Sequence, residues 1–122
     1  MKLRFRNNSV RLRVNRAEVE QLASGSTLRE EVLFPSASFS YELAPSEDND
    51  PDAIYVNGRM LVSAPREQLS AWARSDEIGL YFELPASQIS LKIAIEKDLE
   101  CIDGPEAERD PDAFPRSTQN TC

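Results

Sequence analysis

Phe5-Arg-Asn-Asn-Ser-Val-Arg-Leu-Arg-Val-Asn-Arg-Ala-Glu-Val-Glu-Gln-Leu-Ala23 reads as strand, tight turn, strand and short helix, and the pattern then recurs. Shifting the numbering by 50 sets Tyr55 on Phe5, Asn57 on Asn7, Met60 on Val10, Val62 on Leu12, Leu69 on Val19 and Trp72 on Leu22. The same ungapped shift continues through Pro35/Pro85, Phe39/Ile89, Ser40/Ser90, Leu43/Ile93 and Ala44/Ala94. Identities are few. What matches is the order of apolar and polar positions, which packing preserves in a duplicated unit.

Within that stretch, residues 2–14 alternate. Leu3, Phe5, Val10, Leu12 and Val14 point one way, while Lys2, Arg4, Arg6, Arg11 and Arg13 point the other. This is the period of a half-buried hairpin, and Asn7-Asn8 suits its two-residue turn. The register sets Arg4 opposite Arg11 and Lys2 opposite Arg13. Like charges so opposed are unfavourable, so something negative is expected nearby. Asn15 then reads as a helix N-cap with Glu18 in the reciprocal position. Val19, Leu22 and Ala23 form an apolar stripe that Gly25 ends. Leu28 to Phe34 and Phe39 to Leu43 read as two more strands.

Working outward, residues 45–52 form a polar, acidic seam. Asn57-Gly58 marks the second hairpin, in which Ile54 and Leu61 replace Arg4 and Arg11. That hairpin is apolar on both faces and is expected to be deeply covered. Pro65 fits the start of a second helix, with Leu69, Trp72 and Ala73 as its stripe. Ile78 to Leu84 and Ile89 to Glu96 alternate as the last strands, and Tyr41 and Tyr81 read as packing residues. The fold class is therefore α+β. It is a duplicated ββαββ unit, mostly antiparallel, with eight strands in a sheet or barrel and two short helices. Repeats of about 1–46 and 51–98 share one domain, 1–102, followed by an acidic tail, 103–122, expected to be disordered. Within the tail, Phe114 is its apolar feature, a candidate to dock on its own domain or on a partner.

Composition narrows the function classes. At 122 residues with 40% apolar content, one soluble domain is expected. No run approaches the ~18 apolar residues of a membrane span, and no apolar segment follows the basic start as in a secretory signal. Histidine is absent, which removes the usual neutral-pH base and zinc ligand. Cys101 and Cys122 read as reduced thiols of a cytoplasmic protein. The net charge of −7 is uneven: residues 1–46 carry seven bases and five acids, whereas residues 98–122 carry two bases and seven acids. An acidic chain with a basic start argues against nucleic-acid binding and allows a local anion site.

Asn8-Ser-Val-Arg-Leu-Arg-Val-Asn-Arg-Ala-Glu-Val-Glu-Gln-Leu22, with Ile95-Glu-Lys-Asp-Leu-Glu-Cys101 and Asp110-Pro-Asp-Ala-Phe-Pro115, resembles a small family of bacterial proteins of unknown function. The likeness spans nearly the whole chain and implies a bacterial cytosolic protein with no stated activity. The order of elements also resembles the duplicated plan of the CYTH-like triphosphate-tunnel barrels. Those enclose Arg, Lys and Glu around a polyphosphate and a divalent metal, with Glu-x-Glu-x-Lys on the first strand. Here that strand is Lys2-Leu-Arg4-Phe-Arg6 and has no glutamate.

The candidate site is thus an anion site of Lys2, Arg4, Arg6, Arg11, Arg13 and Lys92, since arginine forks pair with phosphate or carboxylate. No catalytic residue and no cofactor is expected. The first expectation is a small non-enzymatic binding or regulatory protein that takes a small anionic ligand, or an acidic segment of a partner, on the first hairpin. The alternative is a minimal metal-dependent triphosphate enzyme, with Glu42, Glu83 and Glu96 as oxygen ligands for a divalent cation. A third is a structural or interaction protein that works through its acidic tail, with a protein partner held around Phe114. No nucleic acid or membrane partner is expected.

Overall fold

The computed structural model describes residues 1–99, Asp112 and Phe114. The first repeat runs β1 (Lys2–Arg6), β2 (Ser9–Val14), α1 (Arg16–Ala23), β3 (Leu28–Leu33) and β4 (Ser38–Ser46). The second runs β5 (Asp52–Val56), β6 (Arg59–Pro65), α2 (Arg66–Ala73), β7 (Gly79–Ala86) and β8 (Ile89–Lys97). The duplicated α+β plan holds, and each repeat gives one hairpin to each sheet. One sheet is ordered β1-β2-β8-β7 and the other β3-β4-β6-β5. Neighbours within each hairpin are antiparallel, and the repeats are joined by the parallel pairs β2–β8 and β4–β6. The sheets stay open rather than closing into a barrel.

The turns and caps follow from their residues. Asn7 and Asn57 take φ of 52° and 51°, conformations that asparagine tolerates, and Gly58 follows at 76°. A Cβ on Gly58 would lie 2.9 Å from the Ser38 carbonyl oxygen, so that turn also needs glycine for space. The Asn15 side chain accepts from the Glu18 backbone N–H, while the Asn15 N–H donates to the Glu18 carboxylate, completing the capping box. Pro65 ends β6 and immediately precedes α2 without a side-chain cap.

Inward-facing residues of both sheets meet in one apolar cluster. Val10, Leu12 and Val14 of β2, Leu43 of β4, Met60 and Val62 of β6, and Ile93 and Ile95 of β8 are all buried. The helices lie side by side and rest on β3, β4 and β6. They bury Val19, Leu22, Leu69 and Trp72, each 3% exposed or less. A helix of eight residues is marginal alone, so this stripe is what holds each one in place.

The pairing corrects the ungapped alignment. Leu12 pairs with Ile95 and Val62 with Leu43. Leu12 and Val62 are equivalent at a shift of 50, so Leu43 corresponds to Ile95, a shift of 52. Leu28 and Leu80, paired with Leu43 and Ile95, correspond in the same way. Two extra residues therefore lie between α2 and β7. They leave the alternation of the last two strands intact, because a strand repeats every two residues.

Two further expectations are corrected. The second hairpin is not deeply covered: Ile54, Tyr55 and Val56 are exposed, because β5 is the edge strand of its sheet. Tyr81 is also exposed, since its place in β7 points away from the core. Among the described residues, no helix is long and apolar enough to cross a membrane.

Candidate functional site

Alternation on β1, β2 and β8 sends every second side chain to the outer face of the first sheet. Register then sorts those side chains into rows. Lys2, Arg13, Glu96 and Gly79 form one row; Arg4, Arg11, Ala94 and Tyr81 the next; Arg6, Ser9, Lys92 and Glu83 the third. All six residues of the expected anion site thus share one face. Lys92 joins it from the other repeat through the parallel β2–β8 pair. The face is open, and its arginines do not surround an enclosed tunnel, since the inside of the fold is apolar.

The carboxylates that pair with cations on this face, Glu96 and Asp98, lie at one end, while Glu83 stands in the row of Arg6 and Lys92. Glu96 Oε1 lies 3.2 Å from Arg11 Nε and 3.6 Å from Arg13 Nε, and Glu96 Oε2 accepts from the Tyr81 hydroxyl at 2.8 Å. Burial raises the Tyr81 pKa, and the hydrogen bond and charge of Glu96 raise it further against the opposing pull of Arg11. Lys2 Nζ pairs with the buried Asp98 at 2.8 Å. Among the described residues, Arg4, Arg6 and Lys92 have no carboxylate within 4.0 Å. Compensation at Lys2, Arg11 and Arg13 is therefore internal, while Arg4, Arg6 and Lys92 keep their charge among the described residues.

The outer face of the other sheet is neutralised. Glu42, 7% exposed, accepts from Arg59 Nε at 2.6 Å and lies 3.9 Å from Arg29 Nε. The hydrogen bond from Arg59 to Glu42, reinforced by the carboxylate's charge, raises the guanidinium's already high pKa. Glu42 thus belongs to a different sheet from Glu83 and Glu96, and those two stand in different rows of the first sheet. The three do not form a ligand set. Among the described residues, no group of three His, Cys, Asp or Glu side chains is placed to hold a metal ion.

Of two further features, the first was not legible as a site in the sequence and the second answers the expectation that Phe114 docks. A cleft of about 310 Å³ is lined by Phe5, Asn7, Asn8 and Val10 of the first hairpin and by Tyr55 and Met60 of the second. Phe5/Tyr55 and Val10/Met60 are equivalent pairs, so the cleft lies where the repeats face one another. The second feature is the tail contact. Phe114 bridges Leu99 in parallel register, and its N–H donates to the Asp98 carbonyl at 2.7 Å. Its ring lies 5.7 Å from the Arg16 guanidinium and 5.4 Å from Lys97 Nζ. Asp112 accepts from the first N–H groups of α1, through its carbonyl at Arg16 (2.9 Å) and its carboxylate at Ala17 (2.8 Å). Phe114 docks on its own domain. Cys101, Cys122 and the remainder of the expected disordered tail lie outside the described residues.

No curated protein and no solved structure matches the chain. A model of the family of unknown function DUF7009 matches residues 1–118, and the chain belongs to that family.

Proposed function

We propose that the chain is a non-enzymatic binding protein of the cytoplasm that takes an acidic, extended segment of a partner on the β1–β2 face. The observation that carries this reading is that, among the described residues, Arg4 and Arg6 stand without a carboxylate partner on an edge strand, while Arg11 and Arg13 beside them share Glu96. Arg4 is register-paired with Arg11, an arrangement that is unfavourable unless an anion intervenes. The open edge of the sheet favours an extended acidic segment over a small anion, because Arg4 and Arg6 alternate along β1 and offer cations in a line. Guanidinium forks suit such a segment, since each can hold one carboxylate through two parallel hydrogen bonds.

The test is a titration of a labelled glutamate-rich peptide, followed by anisotropy at low and high salt. Binding is expected at low ionic strength and should weaken as salt rises, because the face is exposed and screened. Arg4→Ala and Arg6→Ala should each weaken it several-fold, and Arg74→Ala, at the end of α2, should not. The reading fails if the wild type does not bind at low salt, or if Arg74→Ala costs as much as Arg4→Ala. Phosphate or tripolyphosphate raising the melting temperature where the peptide does not bind would redirect it to a small anionic ligand.

A further inference from the structure

Each sheet leaves two edge strands, and three of the four edges are guarded. β1 carries Lys2, Arg4 and Arg6; β3 carries Arg29, Glu30 and Glu31; β7 carries Glu83 and Pro85. Charge and proline on an edge discourage another strand from adding to it. β5 differs. After Asp52 it reads Ala53-Ile54-Tyr55-Val56, with Ile54 49%, Tyr55 67% and Val56 56% exposed. The duplication sharpens the contrast, because Ile54 and Val56 stand where the other repeat has Arg4 and Arg6. The same edge is guarded in one repeat and bare in the other.

We propose that β5 is the pairing edge of a twofold homodimer, in which it adds antiparallel to β5 of a second copy. The order of charge along the strand selects this occupant. Asp48, Asp50 and Asp52 precede the apolar run, and Arg59 follows it across the Asn57-Gly58 turn. In an antiparallel pair, the acidic approach of one copy runs beside the end of the other that carries no acid and whose Arg59 is held by Glu42. A parallel pair would set like charge against like. Centred on Ile54, the pairing brings Ile54 against its own copy, Ala53 against Tyr55 and Asp52 against Val56. Such an interface is isologous and closes at two copies. Because β5 belongs to the second sheet, the dimer leaves the basic face of the first sheet open, so it stands independently of the function proposed above.

Sedimentation of the full chain, from micromolar to near-millimolar concentration, tests the proposal. The wild type should pass from monomer to dimer. Ile54→Arg with Val56→Arg gives β5 the residue types that β1 already carries. It should raise the dissociation constant more than about tenfold while leaving the monomer's melting temperature unchanged. Hydrogen exchange on the wild type gives a second reading that needs no variant: the amides of residues 53–56 should become protected as concentration rises. The proposal is overturned if the wild type stays monomeric throughout, if the dimer persists in the double variant, or if those amides exchange equally at both concentrations. Protection by an unrelated strand-forming peptide, with none from a second copy, overturns it too.

Discussion

The Lys97 ammonium lies 5.4 Å from the centre of the Phe114 ring, and the same ammonium lies 5.5 Å from the Trp72 ring. Lys97 is 6% exposed and its Nζ donates to the Ser75 carbonyl at 2.6 Å. Phe114 thus helps to cover a buried cation that sits against the core tryptophan. Phe114→Ala should remove that cover and the apolar contact with it. The expected cost is roughly 1–3 kcal/mol for a half-buried ring, read by denaturant unfolding. Trp72 is the chain's one tryptophan, so its emission should shift in the same variant. No change in either signal would mean that the tail contact contributes nothing in solution.

Asp112 tests the other half of the same contact. It accepts from two N–H groups that α1 leaves without partners inside the helix. Asp112→Ala keeps the carbonyl bond to Arg16 and removes the carboxylate bond to Ala17. A loss of about 0.5–1 kcal/mol is expected, in the range of a side-chain cap, smaller than that of Phe114→Ala. A larger loss would show that the aspartate, rather than the ring, anchors the tail.

Trp72→Ala should cost about 3–5 kcal/mol, since the indole is 2% exposed and its removal leaves a cavity among Leu22, Leu69 and the strands. Equilibrium unfolding measures it. A cost below about 1 kcal/mol would mean that the helices do not bury this face as described.

Most of the architecture is written in alternation and turn chemistry, and residues 2–25 show it best: hairpin, capping box and helix stop all stand where their residue types put them. The insertion between α2 and β7 was illegible because two extra residues preserve strand parity, leaving Phe39/Ile89 and Leu43/Ile93 as plausible an alignment as the true Leu43/Ile95. Its role is visible only in three dimensions. The longer loop brings the Ile78 carbonyl to Trp72 Nε1 at 3.2 Å and the Ser75 carbonyl to Lys97, acceptors that Leu22 in the other repeat does not need. The five cations of the first hairpin read correctly as sharing one face because strand period fixes the face, and Lys92 joins them only through the β2–β8 pair. Their lack of enclosure, the edge position of β5 and the separation of Glu42 from Glu96 depend on which hairpin pairs with which, and no local pattern encodes that.

Alkaline pH should destabilise the fold through Met1. Burial alone would lower the pKa of its α-ammonium. Hydrogen bonds and charge from Glu18 and Glu30 outweigh burial and hold it above the ordinary value of 8.0. A cation with a raised folded pKa stabilises the native state fully below its unfolded value, and that contribution is lost as pH climbs through the folded one. Burial, followed by the charges of Glu30 and Glu18, also raises the Tyr41 pKa above 10.0, so ionising it disfavours the folded state at still higher pH. Melting temperature should therefore fall progressively above about pH 8, and Glu18→Gln should flatten the first part of that fall. A wild-type profile flat from pH 8 to 10 would show that the Met1 pair is not formed in solution.

Glu96 connects stability to the basic face. Its carboxylate is the internal counter-charge for Arg11 and Arg13 and the acceptor for Tyr81. Glu96→Gln keeps the shape, removes the charge and replaces one of the two acceptor oxygens by a donor NH2 group. Both arginines are about two-fifths exposed, so the loss of stability should be modest, roughly 0.5–1 kcal/mol. The face then carries one more net positive charge, so an acidic peptide should bind a few-fold more tightly at low salt, with the gain shrinking as ionic strength rises. Tyr81 gives a separate signal. Its raised pKa rests first on burial and then on Glu96, so the variant's phenol should ionise at lower pH, visible in ultraviolet absorbance. A variant that loses stability and shifts Tyr81 without gaining peptide affinity would make Glu96 a structural counter-ion alone, and would remove the β1–β2 face as the place where an acidic partner is read.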